Sequence, residues 1–117
     1  MEDKPLMKRD LIVFENEKFE VTGYDIWMTA GEIASLFGVT IMKVRGIVSR
    51  MRKQLTVNLD ILSKYGLLEN GYKDELFSLE VIIAMTYYMD TGLARDFRHW
   101  ICDRTTKRKE RAMIVYF

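Results

Sequence analysis

The sequence predicts an α+β fold: a small winged-helix-like helix-turn-helix domain with an N-terminal β-hairpin and a C-terminal helical pair. Residues 29–53 repeat apolar side chains at helical spacing on both sides of Gly38, which indicates two helices and a corner. Residues 11–28 instead show short apolar runs separated by polar turns, as strands do. A chain of 117 residues fits a single domain, residues 1–117, since smaller pieces would bury too little core.

The composition limits the classes of protein to which the chain can belong. Hydrophobic residues make up 49% of the chain and charged residues 30%, which is the balance of a folded globular protein. The opening stretch MEDKPLMKRD is charged where a secretory signal needs an apolar segment, and no apolar run approaches the roughly 20 residues that cross a bilayer. The single cysteine excludes an intrachain disulfide. We therefore expect a cytoplasmic protein with no membrane partner.

The N-terminal part predicts strands and then the start of a helix. Apolar runs at residues 11–14 and 19–21 flank the polar turn ENEK, which indicates a β-hairpin. A third short strand is expected to extend through Trp27. Thr29 is then a suitable helix N-cap, because Glu32 follows it at capping-box spacing.

The corner between the two predicted helices has the residues that a helix-turn-helix needs. Ala34 is small enough for the second helix to cross closely, and Gly38 accepts the positive φ of the turn. Thr40 is placed to cap the second helix. The expected apolar face of this helix is Ile41, Val44, Ile47, Val48 and Met51, and Val39, Val44 and Ile47 should turn it back to the first helix.

The rest of the chain predicts a wing and a helical pair. A short helix is expected over residues 59–64, and Asn70-Gly71 suits a two-residue type I′ turn inside a wing hairpin over residues 65–77. The helical pair follows over residues 78–104, with Ser78 as its N-cap. The final letters AMIVYF indicate a β-like run.

The first helix of this pair is almost entirely apolar over residues 81–89. A helix that is apolar all round must be buried all round. It is therefore either the central core helix or half of a homodimer interface, and we favour the central position.

The charges are clustered although the net charge is only +1. Five cations and no acid lie between Lys43 and Lys53, and five further cations with one acid lie between Arg104 and Arg111. Clusters of this kind are either solvated surface or a binding face for a polyanion. The first cluster coincides with the second predicted helix, whose polar face is therefore basic.

That polar face supplies the candidate DNA-binding residues. In a helix-turn-helix the N-terminal part of the second helix contacts base edges in the major groove, and other cations hold phosphates. The base-edge candidates are Thr40, Lys43 and Arg45. Ser49 shares the face, and the phosphate candidates are Arg50, Arg52 and Lys53. Gly46 interrupts the row, either to let a partner approach closely or, as we favour, as a tolerated helix glycine.

Two further segments are considered as DNA contacts. The wing carries one cation, Lys73, among acids that repel phosphates, so we interpret it as a structural hairpin. These acids are Glu69, Asp74 and Glu75. The better second contact is the basic cluster Lys107, Arg108 and Lys109, with a merely solvated surface as the alternative.

Two blocks of the sequence resemble a known family. The first is IWMTAGEIASLFGV and the second is LFSLEVIIAMTYYMDTGLARDFRHWI. They are similar to the RhuM-type family of bacterial and prophage-associated virulence proteins, over roughly residues 26–101. The matching residues are Trp27, Thr29, Ala34, Leu36, Phe37, Gly38 and Val39, then Phe97, Arg98 and Trp100. The chain departs from the family at Met28 and at Ile101-Cys102. The resemblance implies a DNA-binding module akin to phage regulator and antirepressor domains.

The FRHW stretch also has a purely structural interpretation, which we favour. Phe97 and Trp100 have the spacing of core residues, and Arg98 can brace a turn or pair with an acid. The alternative is a contact with a ligand or with DNA.

The sequence contains no catalytic or metal-binding pattern. Cys102 and the single histidine, His99, lack the partners that a zinc site or a nucleophile–base pair needs, and we expect Cys102 to be a buried thiol. We therefore expect no enzyme, no metal and no cofactor.

The function expected from the sequence is that of a transcriptional or phage-type regulator with double-stranded DNA as its partner. The alternative is a protein-interaction or antirepressor-like dimerising module that keeps the helical corner without binding DNA. Exposure of Arg45 and Arg50 beside Lys43 would favour DNA, whereas pairing of these arginines with the wing acids, or a covered second helix, would favour the alternative.

Overall fold

A computed structural model describes the backbone of residues 8–54 and 59–116, and the side chains of the same residues except 60, 61 and 105–116. The predicted α+β class is confirmed. The elements are β1 (Ile12–Glu15), β2 (Lys18–Val21), β3 (Trp27–Met28), α1 (Ala30–Phe37), α2 (Ile41–Gln54), α3 (Leu59–Leu62), β4 (Ser63–Leu67), β5 (Lys73–Ser78), α4 (Leu79–Thr86) and α5 (Gly92–Tyr116). Among the described residues, no helix has both the length and the apolar character that crossing a membrane requires.

The strands form two small antiparallel sheets. β1 and β2 make the predicted N-terminal hairpin. The second sheet has the order β3-β5-β4, with Met28 opposite Phe77 and Tyr65 opposite Glu75. β4 begins at Ser63, so the short helix predicted over residues 59–64 ends earlier than expected.

The turn between β1 and β2 is a two-residue type I′ turn. Asn16 and Glu17 both have positive φ, 52° and 62°, and Glu15 pairs with Lys18 across them. This turn is favoured in hairpins because its twist matches that of the strands. Asparagine tolerates the left-handed conformation, but the Cβ of Glu17 crowds the following carbonyl oxygen and makes it costly.

The turn between β4 and β5 differs from the predicted type I′ turn. Gly71 has a φ of 88°, whereas Asn70 is not among the described residues with positive φ. The N–H of Leu68 donates to the carbonyl of Tyr72 (2.9 Å), and the N–H of Gly71 donates to the carbonyl of Leu68 (3.0 Å). These bonds define a three-residue loop, a type I turn followed by a left-handed glycine. The Asn70 side chain accepts the N–H of Tyr72 (3.0 Å), which stabilises this alternative.

Helices α1 and α2 begin with the predicted caps. The Thr29 hydroxyl accepts the N–H of Glu32 (3.1 Å), and the Glu32 carboxylate accepts the N–H of Thr29 (2.9 Å), which completes the capping box. Gly38 ends α1 with a φ of 68°, as the corner requires. The Thr40 hydroxyl accepts the N–H of Lys43 (3.1 Å) at the start of α2.

Helix α4 lies in the centre of the molecule. Val81, Ile82 and Met85 are fully buried, and α4 packs against α2, α5 and β5. The prediction that residues 81–89 are buried all round is wrong at the C-terminal end, because α4 ends at Thr86 and Tyr87 is 70% exposed.

Helix α5 is longer than the predicted helical pair, which ended at residue 104. It continues to Tyr116, so the β-like run predicted at the C-terminus is wrong for residues 112–116. The chain contains neither glycine nor proline after Gly92, and nothing in the sequence terminates the helix earlier.

The FRHW stretch of α5 has the structural role that we favoured. Phe97 is fully buried, and its ring contacts those of Phe19 and Phe37 at centroid distances of 5.4 and 5.2 Å. The Arg98 guanidinium donates to the carbonyl of Thr86 and so braces the end of α4.

Arg9 ties the N-terminal segment to α1. Its Nη1 and Nη2 donate to the two carboxylate oxygens of Glu32 (2.6 and 3.0 Å), and Nη1 also donates to the carbonyl of Trp27 (2.9 Å). The Arg9 side chain is only 6% exposed. The hydrogen bond to Glu32 raises the pKa of Arg9. Burial by itself would raise the pKa of Glu32, but the hydrogen bonds from Arg9 and Thr29 outweigh it and lower that pKa overall.

Replacing Glu17 with glycine should stabilise the protein. Glycine adopts a positive φ without strain, so Glu17→Gly should raise the free energy of unfolding by about 1 kcal/mol. Urea denaturation measures the effect. Glu17→Gln is the matched control, because it removes the charge and keeps the Cβ. A glycine variant no more stable than the glutamine variant would contradict the strain at this turn.

Removing the Glu32 carboxylate should destabilise the protein and flatten its acid denaturation. Glu32→Gln should lose roughly 2 kcal/mol at neutral pH, because Arg9 stays buried without its charged partner. The folded-state pKa of Glu32 is lowered, so its contribution is complete above the ordinary value of 4.5 and is lost as the pH falls through the folded value. Urea denaturation from pH 7 to pH 3 should therefore show a steeper loss for the unmodified chain.

Glu69→Gln is the control for this experiment. Glu69 is 71% exposed and lies 3.4 Å from Nη2 of Arg9, so its removal should change stability by less than about 0.5 kcal/mol. Equal losses from the two variants would refute the central role of Glu32.

Candidate nucleic-acid interface

The orientation of α2 follows from its apolar stripe. Val44, Ile47, Val48 and Met51 are buried at helical intervals against the core. Ile41, which the sequence placed on this stripe, lies at its edge and is 37% exposed. The opposite face of α2 is therefore turned to solvent.

The structure leaves the whole predicted set exposed, with Thr40 just before α2 and the other six residues on the solvent-facing side of the helix. The exposed candidates are Thr40, Lys43, Arg45, Ser49, Arg50, Arg52 and Lys53. No acid interrupts the helix between residues 41 and 54. All charged residues of this helix are therefore cations.

The exposed face consists of three rows. Residues three or four apart lie one above the other on a helix. The middle row is Met42, Gly46, Ser49 and Lys53, directly opposite the buried stripe. One flank carries Arg45 and Arg52, and the other carries Lys43 and Arg50. The cations thus border a middle row that is uncharged until its last residue.

The first flank is anchored to the wing. Nη2 of Arg52 forms an ion pair with the Glu75 carboxylate on β5. The Ser63 hydroxyl donates to the same carboxylate (3.1 Å). Because Arg52 is 48% exposed, it is held in position while part of its side chain remains accessible.

The second flank is anchored to the segment that follows α4. The guanidinium of Arg50 lies over the ring of Tyr88, 5.4 Å from its centroid. The Tyr88 hydroxyl donates to the Gln54 side-chain carbonyl (2.7 Å). The two flanks are therefore fixed by contacts on opposite sides of α2.

The two cations in the N-terminal half of α2 form neither the ion pair of Arg52 nor the ring contact of Arg50. Lys43 and Arg45 are exposed, and neither forms an ion pair with another residue of the described part of the chain. Of the α2 arginines, only Arg52 pairs with a wing acid. Arg45 and Arg50 are therefore exposed beside Lys43, and neither pairs with a wing acid among the described residues.

Two of the three wing acids form ion pairs within the protein. Glu75 pairs with Arg52, and Glu69 pairs with the buried Arg9. Lys73 is exposed at the start of β5. The β4–β5 hairpin is therefore joined to α2 through Glu75 and Arg52, and to α1 through Glu69 and Arg9.

The second predicted contact lies on α5. The backbone of Lys107, Arg108 and Lys109 is helical, and their side chains lie outside the described residues. The prediction of a second contact there therefore stays a prediction.

The described residues contain no group of three or more side chains that could hold a metal ion. Cys102 is exposed on α5, so the expectation of a buried thiol is wrong.

A cleft of about 830 Å³ lies between β1, α1 and the turn that joins β4 to β5. Its charged lining includes the acids Glu15, Glu32, Glu69 and Asp74, which disfavour a phosphate ligand there.

Sequence reasoning missed Met42. It is 71% exposed at the start of the middle row, although methionine is a residue that usually lies in the core. The signal was available in the helical spacing of Met42, Gly46 and Ser49.

No family model matches the chain, and no curated protein or solved structure is significantly similar to it.

Replacing Gly46 with alanine should stabilise the protein. A Cβ at this position would meet no atom within 4 Å, so alanine fits without a clash. Alanine in a helix interior should then raise the free energy of unfolding by about 1 kcal/mol, measured by urea denaturation. Gly38→Ala is the opposite control and should destabilise, because its φ is 68°. If Gly46→Ala destabilised the protein, the conclusion that there is free space for a Cβ at residue 46 would be wrong.

Proposed function

We propose that the chain is a DNA-binding protein, a transcriptional or phage-type regulator, in which residues 29–53 act as a helix-turn-helix and residues 65–77 form the wing beside it. Helix α2 enters the major groove of double-stranded DNA. The observation that carries this proposal is the exposed face of α2, with five cations and no acid.

The electrostatic argument concerns where the cations lie and not how many there are. A chain with a net charge of +1 has no strong overall attraction for DNA. Concentrating cations on one helix face gives that face a local attraction for phosphates, while the acids lie on other elements. Binding should therefore depend on a small number of phosphate contacts and decrease with salt.

The second candidate is a protein-interaction or antirepressor-like dimerising module. The exposed apolar side chains of Met42 and Ile41 favour it, because they would pack well against a protein partner. In that case α2 would bind a second protein, including another copy of this chain, and its cations would contribute little.

A salt titration distinguishes the two candidates. Fluorescence anisotropy of labelled random-sequence duplex DNA would be measured against the unmodified chain at several salt concentrations. We expect the logarithm of the association constant to fall against that of salt with a slope of about −3 or steeper. In Arg50→Gln/Lys53→Gln, which removes two of the phosphate candidates, the slope should flatten by nearly 2, since each lost phosphate contact accounts for about 0.9.

The matched control removes the same charge elsewhere. Lys18→Gln/Arg95→Gln takes two exposed cations from β2 and α5 and should leave the slope close to that of the unmodified chain. Absence of binding at low salt by folded protein would refute the proposal and favour the protein-interaction module. Equal effects of the two double variants would show attraction to net charge, without a role for the α2 face.

A further inference from the structure

We infer that the middle row of α2 faces the floor of the major groove and selects thymine through its 5-methyl group, with Met42 as the residue that contacts the methyl. This inference rests on the proposed DNA binding. It also assigns the flanking Lys43 and Arg45 to phosphates instead of the base edges suggested by the sequence.

The first argument is the chemistry of the middle row. Met42 is 71% exposed, and the next two residues of the row, Gly46 and Ser49, are small and uncharged. Among base-pair groups in the major groove, the thymine methyl is the apolar one, and apolar side chains contact it. A flexible, polarisable methionine is suited to such a contact.

The second argument is the space at Gly46. Its φ is not positive, and an added Cβ would meet no atom within 4 Å, so neither backbone conformation nor internal packing requires glycine. Glycine nevertheless weakens a helix. Its effect is to lower the helix surface halfway along the middle row, which lets that row approach the bases closely.

The third argument is the position of the cations. Arg52 is held on one side of α2 by Glu75, and Arg50 is held on the other side by the ring of Tyr88. Phosphates line both walls of the major groove, so cations on both flanks can hold the two walls at once. That placement directs the uncharged row between them at the base edges.

The test compares two duplexes that differ only in the thymine methyl. One is an alternating dA-dT duplex and the other is the same duplex with uracil in place of thymine. Anisotropy titrations at low salt should show the unmodified chain binding the thymine duplex about fourfold more tightly for each methyl buried. Met42→Gln keeps the side-chain length and should bind both duplexes equally. Because Met42 is exposed, this variant should fold normally, which circular dichroism checks.

Two further variants separate this inference from the proposed function. Lys43→Gln should weaken binding to both duplexes by the same factor and leave their ratio unchanged. Gly46→Leu should weaken binding to both by roughly tenfold or more, since the added side chain occupies the space of close approach.

The outcomes are distinct. Equal binding of both duplexes by the unmodified chain, at normal salt dependence, would overturn the methyl contact and leave the proposed DNA binding intact. A thymine preference that persists in Met42→Gln would assign the preference to duplex shape and would also overturn the inference. No binding to either duplex would refute the proposed function itself.

Discussion

The carboxylate of Glu32 joins parts of the chain that are distant in sequence. It accepts the N–H of Thr29 at the end of β3, caps α1, and forms a bidentate pair with Arg9. Arg9 in turn reaches Glu69 in the turn of the wing. The direction of α1 is set at this point, and the corner at Gly38 then sets the direction of α2. The outward direction of the cationic face therefore depends on a partly buried ion pair that lies outside α2.

The features that could be predicted from the sequence are those that depend on residues close together in the chain. The caps at Thr29 and Thr40 and the corner at Gly38 depend on residues within a few positions of each other, and all three lie where the sequence placed them. The buried stripe of α2 is equally local, because helical periodicity alone separates it from the polar face. The exposure of the candidate DNA-binding residues on α2 follows directly from that separation.

An ambiguous local signal and contacts between distant residues explain what could not be predicted. The Asn70-Gly71 sequence fits both a two-residue type I′ turn and a three-residue loop. The three-residue loop forms, and in it the N–H of Tyr72 donates to the Asn70 side chain. The two anchors of the cationic flanks, Glu75 for Arg52 and Tyr88 for Arg50, come from β5 and from the residues after α4. Charge counting could not distinguish these arginines from Lys43 and Arg45, whose side chains have no such anchor among the described residues.

The exposed face of α2 breaks two local rules without an internal compensation. Met42 exposes apolar surface, and Gly46 weakens the helix where neither packing nor φ demands a glycine. Folded sequences usually agree with their structure at every level, and departures concentrate where a surface has another task. Both departures lie in one row, between two rows of cations. Glu69 is engaged by Arg9 and Glu75 by Arg52, so the hairpin of β4 and β5 is joined to the side of this face. A binding surface on α2 would therefore consist of the helix itself.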